Sequence, residues 1–188
     1  MATYIEGAAG RLFLLLRGAP EAKRCVLIIP PFAEEMNRCR RQVSLTAERL
    51  TDGGFSVLVP DLYGTGDSAG EFVDATWNGW IDDVARAGAW AERQGLKVDS
   101  LVAVRLGCAL AASCLREQAV FANHAVFWQP VDSGEAYLKQ FLRLKVASAM
   151  ARDRRETVAG LRTRLQQGDV LEVGGYALSP RLASEIEE

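Results

Sequence analysis

The feature that most constrains this chain is a repeated change of hydrophobic period. Short, nearly unbroken apolar runs at residues 25–29, 55–59, 101–104 and 120–128 alternate with longer stretches at 41–51, 76–94 and 106–118, in which apolar residues recur every three or four positions. A short apolar run closed by a breaker is the pattern of a strand buried on both faces, and parallel strands of that kind need helical crossovers between them. The breakers stand where this requires: Pro30 and Pro31 after the first run, Gly53 and Gly54 after the first helical stretch, Pro60 after the second run, Gly95 after the second helix. The alternation predicts an α/β fold with a doubly wound, mostly parallel sheet. Ahead of it, residues 3–6 and 11–17, split by the small residues 7–10, read as a hairpin.

Beyond Pro130 the alternation lapses. Residues 134–151 carry Tyr137, Leu138, Phe141, Leu142, Val146 and Met150 at helical spacing, and the charged run 152–156 leads into a second helix ending near 167. Residues 170–173 suit a short strand, and Ser179 before Pro180 has the form of an N-cap followed by a first-turn proline. The expected division is a core at 1–129 and a helical, cap-like segment at 130–188. Three acids near the end, Glu185, Glu187 and Glu188, oppose the helix macrodipole, so the last helix is expected to be cut rather than finished, and the sheet to lack its last strands.

Composition narrows the function classes. With 22 basic against 24 acidic residues and a net charge of −2, no global field favours nucleic acid or an anionic membrane. No stretch approaches the roughly 18–20 apolar residues a membrane-spanning helix needs, and the N-terminus lacks a basic segment followed by an apolar one, so no membrane insertion and a cytoplasmic location are expected. Cys25, Cys39, Cys108 and Cys114 form no CxxC pair and read as reduced thiols. With the single histidine His124 and no Cys/His/Asp cluster, neither a metal nor another cofactor is expected.

Ligands of open α/β sheets bind at the carboxyl ends of the strands, which here are the segments 30–38, 61–70 and 105–107. The third passes from strand to helix through one residue, the layout of a nucleophile elbow, in which a sharp turn presents one side chain above the sheet. The five residues are Ala103, Val104, Arg105, Leu106 and Gly107. The final glycine of the motif is present, the first is alanine, and the nucleophile position holds arginine.

The segment PPFAEEMNRCRRQ at 30–42, the loop DLYGTGDSAGEF at 61–72, the elbow VRLGC at 104–108 and EVGGYALSPRLA at 172–183 together resemble an α/β-hydrolase-fold protein. They are similar in particular to the second type of hydrolase associated with the exosortase A (PEP-CTERM) sorting and exopolysaccharide loci. The resemblance covers nearly the whole chain, and the first two segments are its specific parts. It implies ester or thioester hydrolysis by a Ser, Cys or Asp at the elbow, an acid after a later strand and a histidine beyond the cap. This sequence has Arg105 at the elbow and no counterpart of the acid or histidine. An always-charged guanidinium cannot attack an acyl carbon, so triad hydrolysis is not expected.

Other candidates carry bland and sharp readings together. Cys108, in the first turn of the helix, is one further nucleophile candidate, but three positions past the elbow it reads as packed between sheet and helix. Ser68 belongs to a glycine loop that needs turn hydrogen bonds, and His124 reads as a packed, hydrogen-bonded strand residue. Arg105 at a helix N-terminus could hold a carboxylate or phosphate together with the Leu106 and Phe32 N–H groups, or it could pair with Glu34, Glu35 or Asp61 and close the pocket. The polar segment 34–38, with Glu35 and Asn37, either lines that pocket or begins the next helix. Asp61 and Asp67 either orient pocket groups or form the turn. Trp77, Trp80 and Trp90 read as core, and Arg152, Arg154 and Arg155 as a solvated helix junction.

Three functions follow as alternatives: a binding or accessory protein for a small acyl or anionic ligand without triad catalysis, an ester or thioester hydrolase with an unorthodox nucleophile, or an interaction module. An unpaired sheet edge would recruit a second copy or a partner chain, so self-association is expected.

Overall fold

A computed structural model describes residues 1–18, 21–151 and 155–188. A six-stranded sheet runs in the order β1-β2-β4-β3-β5-β6. The hairpin β1 (Ala2–Glu6) and β2 (Arg11–Arg17) is antiparallel and joins β4 (Ser56–Pro60) antiparallel, while β3 (Arg24–Ile29), β5 (Lys97–Val104) and β6 (His124–Trp128) are parallel to β4. The apolar runs thus became the parallel strands, and β3, buried at every position after Arg24, lies inside the sheet.

Helix α1 (Glu34–Asp52) covers one face over Val26, Ile28, Val57 and Val102. Helices α2 (Trp77–Arg93) and α3 (Leu106–Arg116) cover the other, and Trp80 and Trp90 are buried there while Trp77 is half-buried. That core continues without a break into α4 (Gly134–Met150), α5 (Val158–Gln166), the hairpin β7 (Leu171–Val173) and β8 (Tyr176–Leu178), and α6 (Pro180–Glu187). Phe32 makes edge-on contacts with Phe72, Trp80, Tyr137 and Phe141 at centroid distances of 5.1–5.9 Å, tying the sheet to α4.

Several local expectations need correction. Helix α1 begins seven residues earlier than the apolar stripe suggests, at Glu34 rather than 41, because Glu34 and Glu35 occupy its first turn, where negative charge is favoured. Of the two readings of the segment 34–38, the structure bears out that its acids begin the following helix, and Glu35 and Arg38 also border a cavity. Strand β6 begins at His124 rather than 120, and His124 is exposed with no side-chain hydrogen bond among the described residues, so it is not packed. The strand β8 was not legible from its apolar pattern, although Gly174 and Gly175, at φ 60° and 87°, supply the two positive-φ residues of a tight hairpin turn. Ser179 does cap α6, accepting from Leu182 N–H at 3.2 Å with Pro180 behind it. Arg152 and Arg154 of the basic junction lie outside the described residues.

Candidate functional site

The turn from β5 to α3 consists of Arg105 alone. Its backbone sits at φ 56°, ψ −121°, a region that residues with a Cβ avoid, and its neighbours hold it there. Arg105 N–H donates to Trp128 O at 3.0 Å, and Arg105 O accepts from Cys108 N–H at 3.0 Å. Gly107 lets α3 press on β3, since a Cβ there would stand 2.5 Å from Pro30 O. The elbow geometry is intact, then, around an arginine.

The guanidinium turns toward α1 and α4. Nε donates to Glu35 Oε1 at 3.2 Å and Nη2 to Gln140 Oε1 at 3.0 Å, while Cζ lies 5.7 Å from the Tyr137 ring centroid. Glu35 completes the cluster by accepting from the buried Tyr137 hydroxyl at 2.9 Å through Oε2. Burial first, then the Glu35 charge, pushes the Tyr137 phenol well above its usual range, so it acts here as a donor. Beside them, Glu34 buries Oε2 without a hydrogen-bond partner, and burial followed by the Glu35 charge raises its carboxyl pKa.

The expected site residues divide among separate cavities. Phe32 and Leu106 border a cavity of about 20 Å³ walled by Leu62, Trp80 and Leu110, room for roughly one water. Neither the Phe32 nor the Leu106 N–H has an acceptor among the described residues. Arg105 and Glu35 border a different cavity of about 370 Å³, with Arg38, Gln42, Trp128 and Gln129. Arg38 is exposed and makes no ion pair among the described residues. Asp61 borders a third, of about 220 Å³, beside Arg40 and Met36. The single anion pocket combining the guanidinium with both N–H groups is therefore not formed.

Asn37 borders none of these cavities: it donates to Tyr176 Oη at 2.9 Å and accepts from Arg40 Nε at 3.2 Å, joining α1 to β8. Asp61 Oδ2 accepts from Asp67 N–H at 2.9 Å, and a Cβ on Gly66 would collide with the same carboxylate, so Asp61 organises its own loop. Burial raises the Asp61 pKa. Ser68 is committed to that loop too, donating to Asp61 O at 2.5 Å and accepting from Phe13 N–H at 2.8 Å. Cys108 is 3% exposed, with Sγ donating to Ala103 O at 3.1 Å, and burial pushes its thiol upward, away from the reactive thiolate. His124 pairs with Ser100 while Trp128 pairs with Val104, which puts the imidazole four residues, roughly 13 Å, down the sheet from the elbow.

Residue-by-residue reading missed Tyr137 and Gln140, because Tyr137 belongs to the apolar stripe of α4 and Gln140 to its exposed side, and both meet Arg105 only through the fold. Gln42, Trp128 and Gln129, on α1 and at the end of β6, were missed because only the fold brings them to Arg105, whereas Arg38 belongs to the segment 34–38 already considered as a pocket lining.

No protein-family model and no curated protein matches the chain. Solved structures do. A putative hydrolase from Agrobacterium vitis is similar over 98% of this chain and 69% of its own, with 16% identity and a TM-score of 0.59. A proline iminopeptidase-related protein from Thermus thermophilus is similar over 90% of this chain and 57% of its own, with 19% identity and a TM-score of 0.57. An α/β serine hydrolase without a lid from Xanthomonas campestris covers 62% of this chain and 56% of its own, with 20% identity and a TM-score of 0.54. The chain spans 58% of an α/β serine hydrolase homologue from Coxiella burnetii, 55% of a putative α/β hydrolase of unknown function from Agrobacterium tumefaciens and 56% of the Xanthomonas campestris protein. At these identities the likeness establishes architecture: the chain has the α/β-hydrolase fold.

Proposed function

We propose that this chain is an α/β-hydrolase-fold protein without triad catalysis that binds a small acyl or anionic ligand, as an accessory protein of an exosortase and exopolysaccharide system in the cytoplasm. One observation carries the binding reading: the elbow position holds Arg105, whose guanidinium is fixed by Glu35 and Gln140 on the border of a cavity of about 370 Å³ that also presents Arg38. Two guanidinium groups in one recess supply forked donors that suit a carboxylate or phosphate, and Val43, Val104 and Trp128 offer apolar wall for a short acyl chain. Glu35 positions Arg105, while Asn37 and Asp61 hold the surrounding segments. The system context rests on sequence resemblance.

Calorimetric titration with short- and medium-chain carboxylates and acyl phosphates tests the reading. Arg105→Ala and Arg38→Ala should each weaken binding about tenfold, equivalent to roughly one charge-assisted hydrogen bond. Affinity unchanged in both variants overturns it.

A second reading, an ester or thioester hydrolase with an unorthodox nucleophile, is favoured by the free Phe32 and Leu106 N–H groups, which share one small cavity beside the elbow as oxyanion donors would. Labelling by a fluorophosphonate or iodoacetamide probe, with p-nitrophenyl ester turnover that persists through purification, would replace the first reading with this one. Absence of both removes it.

A further inference from the structure

Helix α1 covers its face of the sheet unevenly. On β2, Leu14 joins the core on the α2 side and is fully buried, whereas Phe13, Leu15 and Arg17 alternate onto the α1 side, where Phe13 and Leu15 are only half-buried. Leu15 and Arg17 stand opposite Val59 and Val57 of β4, which fixes the side they face. Helix α1 packs over β3, β4 and β5 and leaves a cavity of about 220 Å³ between its flank and the hairpin. Every residue around this cavity falls between Phe13 and Asp61, on the half of the sheet away from β6.

Phe13, Leu15, Val59, Val43 and Ala47 give the cavity apolar walls, and polar groups stand at its two ends. Asp61 N–H donates to Phe13 O at 2.9 Å, which sets Asp61 at one end; Arg17 lies four strand residues, roughly 13 Å, further along. Asp61 is 9% exposed, and while Oδ2 accepts from Asp67 N–H, Oδ1 makes no hydrogen bond among the described residues. Arg40 joins that end from α1, held through Nε by Asn37 Oδ1 at 3.2 Å. Neither arginine is in an ion pair among the described residues, and the half-buried Ser44 hydroxyl on the α1 wall has no hydrogen bond there either. Unpartnered polar groups at the ends of an apolar recess are the lining of a site for a small amphipathic molecule.

We infer that this cavity binds a hydroxyaryl carboxylate, with its ring between Leu15, Val59 and Val43, its carboxylate on Arg17 and its hydroxyl donating to Asp61 Oδ1. Size selects a single ring: an apolar cavity of about 150 Å³ takes benzene, so 220 Å³ leaves room for two small substituents. Charge selects the substituents. Arg17 offers a forked donor to a carboxylate. At the other end the Arg40 charge disfavours an ammonium group beside Asp61, so the group that meets Asp61 is a neutral donor, and Arg40 can donate to its oxygen in turn. An apolar stretch of polypeptide laid in the same recess would desolvate Arg17, Arg40 and Asp61 without giving any of them a partner. The site is separate from the Arg105 cavity, with which it shares only Val43.

Calorimetric titration of the 188-residue chain with para-hydroxyphenylacetate should show binding about tenfold tighter than with phenylacetate, the worth of one hydrogen bond to a charged group. Arg17→Ala breaks no side-chain bond among the described residues, so it should leave Tm unchanged while weakening the hydroxylated probe about tenfold. Ser44→Leu fills the cavity from α1 with a better helix former and should abolish the preference for the hydroxylated probe at unchanged far-UV circular dichroism. If Ser44→Leu fails to fold, Arg17→Ala decides. Absence of wild-type binding in the millimolar range overturns the inference, as does equal affinity for the two probes or a preference that survives Arg17→Ala. A preference lost in Arg105→Ala alone also overturns it, by placing the probe in the cavity of about 370 Å³ instead.

Discussion

If the elbow stores backbone strain around a side chain that does no nucleophilic chemistry, truncating Arg105 to alanine and to glycine should separate contact from strain. Both variants lose the Glu35 pair at 3.2 Å and the Gln140 hydrogen bond at 3.0 Å. The two ionic side chains are 23% and 22% exposed, between a surface pair worth about 0–1 kcal/mol and a buried one costing about 3–5 kcal/mol to break, so this loss is about 1–2 kcal/mol in each variant. Only glycine is relieved of φ 56°, ψ −121°, recovering about 1–3 kcal/mol. Against that stands the extra freedom of the unfolded glycine chain, about 0.4–1 kcal/mol. Arg105→Gly should therefore be the more stable of the two by about 1 kcal/mol, roughly 2–4 °C in Tm for a domain of this size. Urea and thermal unfolding followed by tryptophan fluorescence measure the difference. Ala112→Gly, exposed within α3, is the control and should show the ordinary sign, a loss of about 1 kcal/mol. An Arg105→Ala protein as stable as Arg105→Gly would refute the strained elbow.

Other substitutions probe the surrounding framework. Glu35→Ala leaves both the Arg105 guanidinium and the buried Tyr137 hydroxyl without their acceptor and should cost about 2–4 kcal/mol in urea unfolding, with Glu35→Gln near 1 kcal/mol because its amide oxygen still accepts. Asp83, which accepts from Tyr63 N–H at 2.8 Å, is pushed up to about 6 chiefly by burial. Its folded value lies above the unfolded one, so its stabilisation is complete below about pH 4 and is lost as pH rises through 6, by about 3 kcal/mol at 1.36 kcal/mol per unit. Stability measured from pH 4 to 7 should show this fall in the wild type and flatten in Asp83→Asn. Gly66→Ala combines φ 56° with a collision against the Asp61 carboxylate and should lower stability by at least about 2 kcal/mol, read as a reduced urea midpoint.

The parallel sheet was legible because burial on both faces leaves an unbroken apolar run, and Pro30, Pro60 and Gly95 close the elements where the chain must turn. The elbow was legible for a related reason: with one residue between β5 and α3, only a sharp turn fits. The start of α1 was not, because Glu34 and Glu35 enter the helix through charge rather than periodicity. The exposure of His124 was not either, since an apolar strand reads alike at the margin and centre of a sheet. Least legible was the arrangement around Arg105. Glu35 and Tyr137 are 102 residues apart, and no local pattern records that α4 folds over the N-terminus of α1.

The elbow separates what the fold requires from what catalysis requires. The turn at Arg105 exists because α3 must rise directly from β5 and lie against β3 through Gly107, and that packing is indifferent to the side chain at the summit. Chemistry depends on the side chain alone, and an arginine there reverses the site's electrostatics. A hydrolytic elbow generates negative charge on the reacting oxygen and stabilises it with N–H groups. This one already presents positive charge, balanced within the chain by Glu35. The Phe32 and Leu106 N–H groups remain nearby, but in a cavity that holds roughly one water. The two N–H donors and the Arg105 cation thus face different spaces. On the proposed reading, that separation suits holding a stable anion against Arg105 and Arg38 better than passing through a transient one.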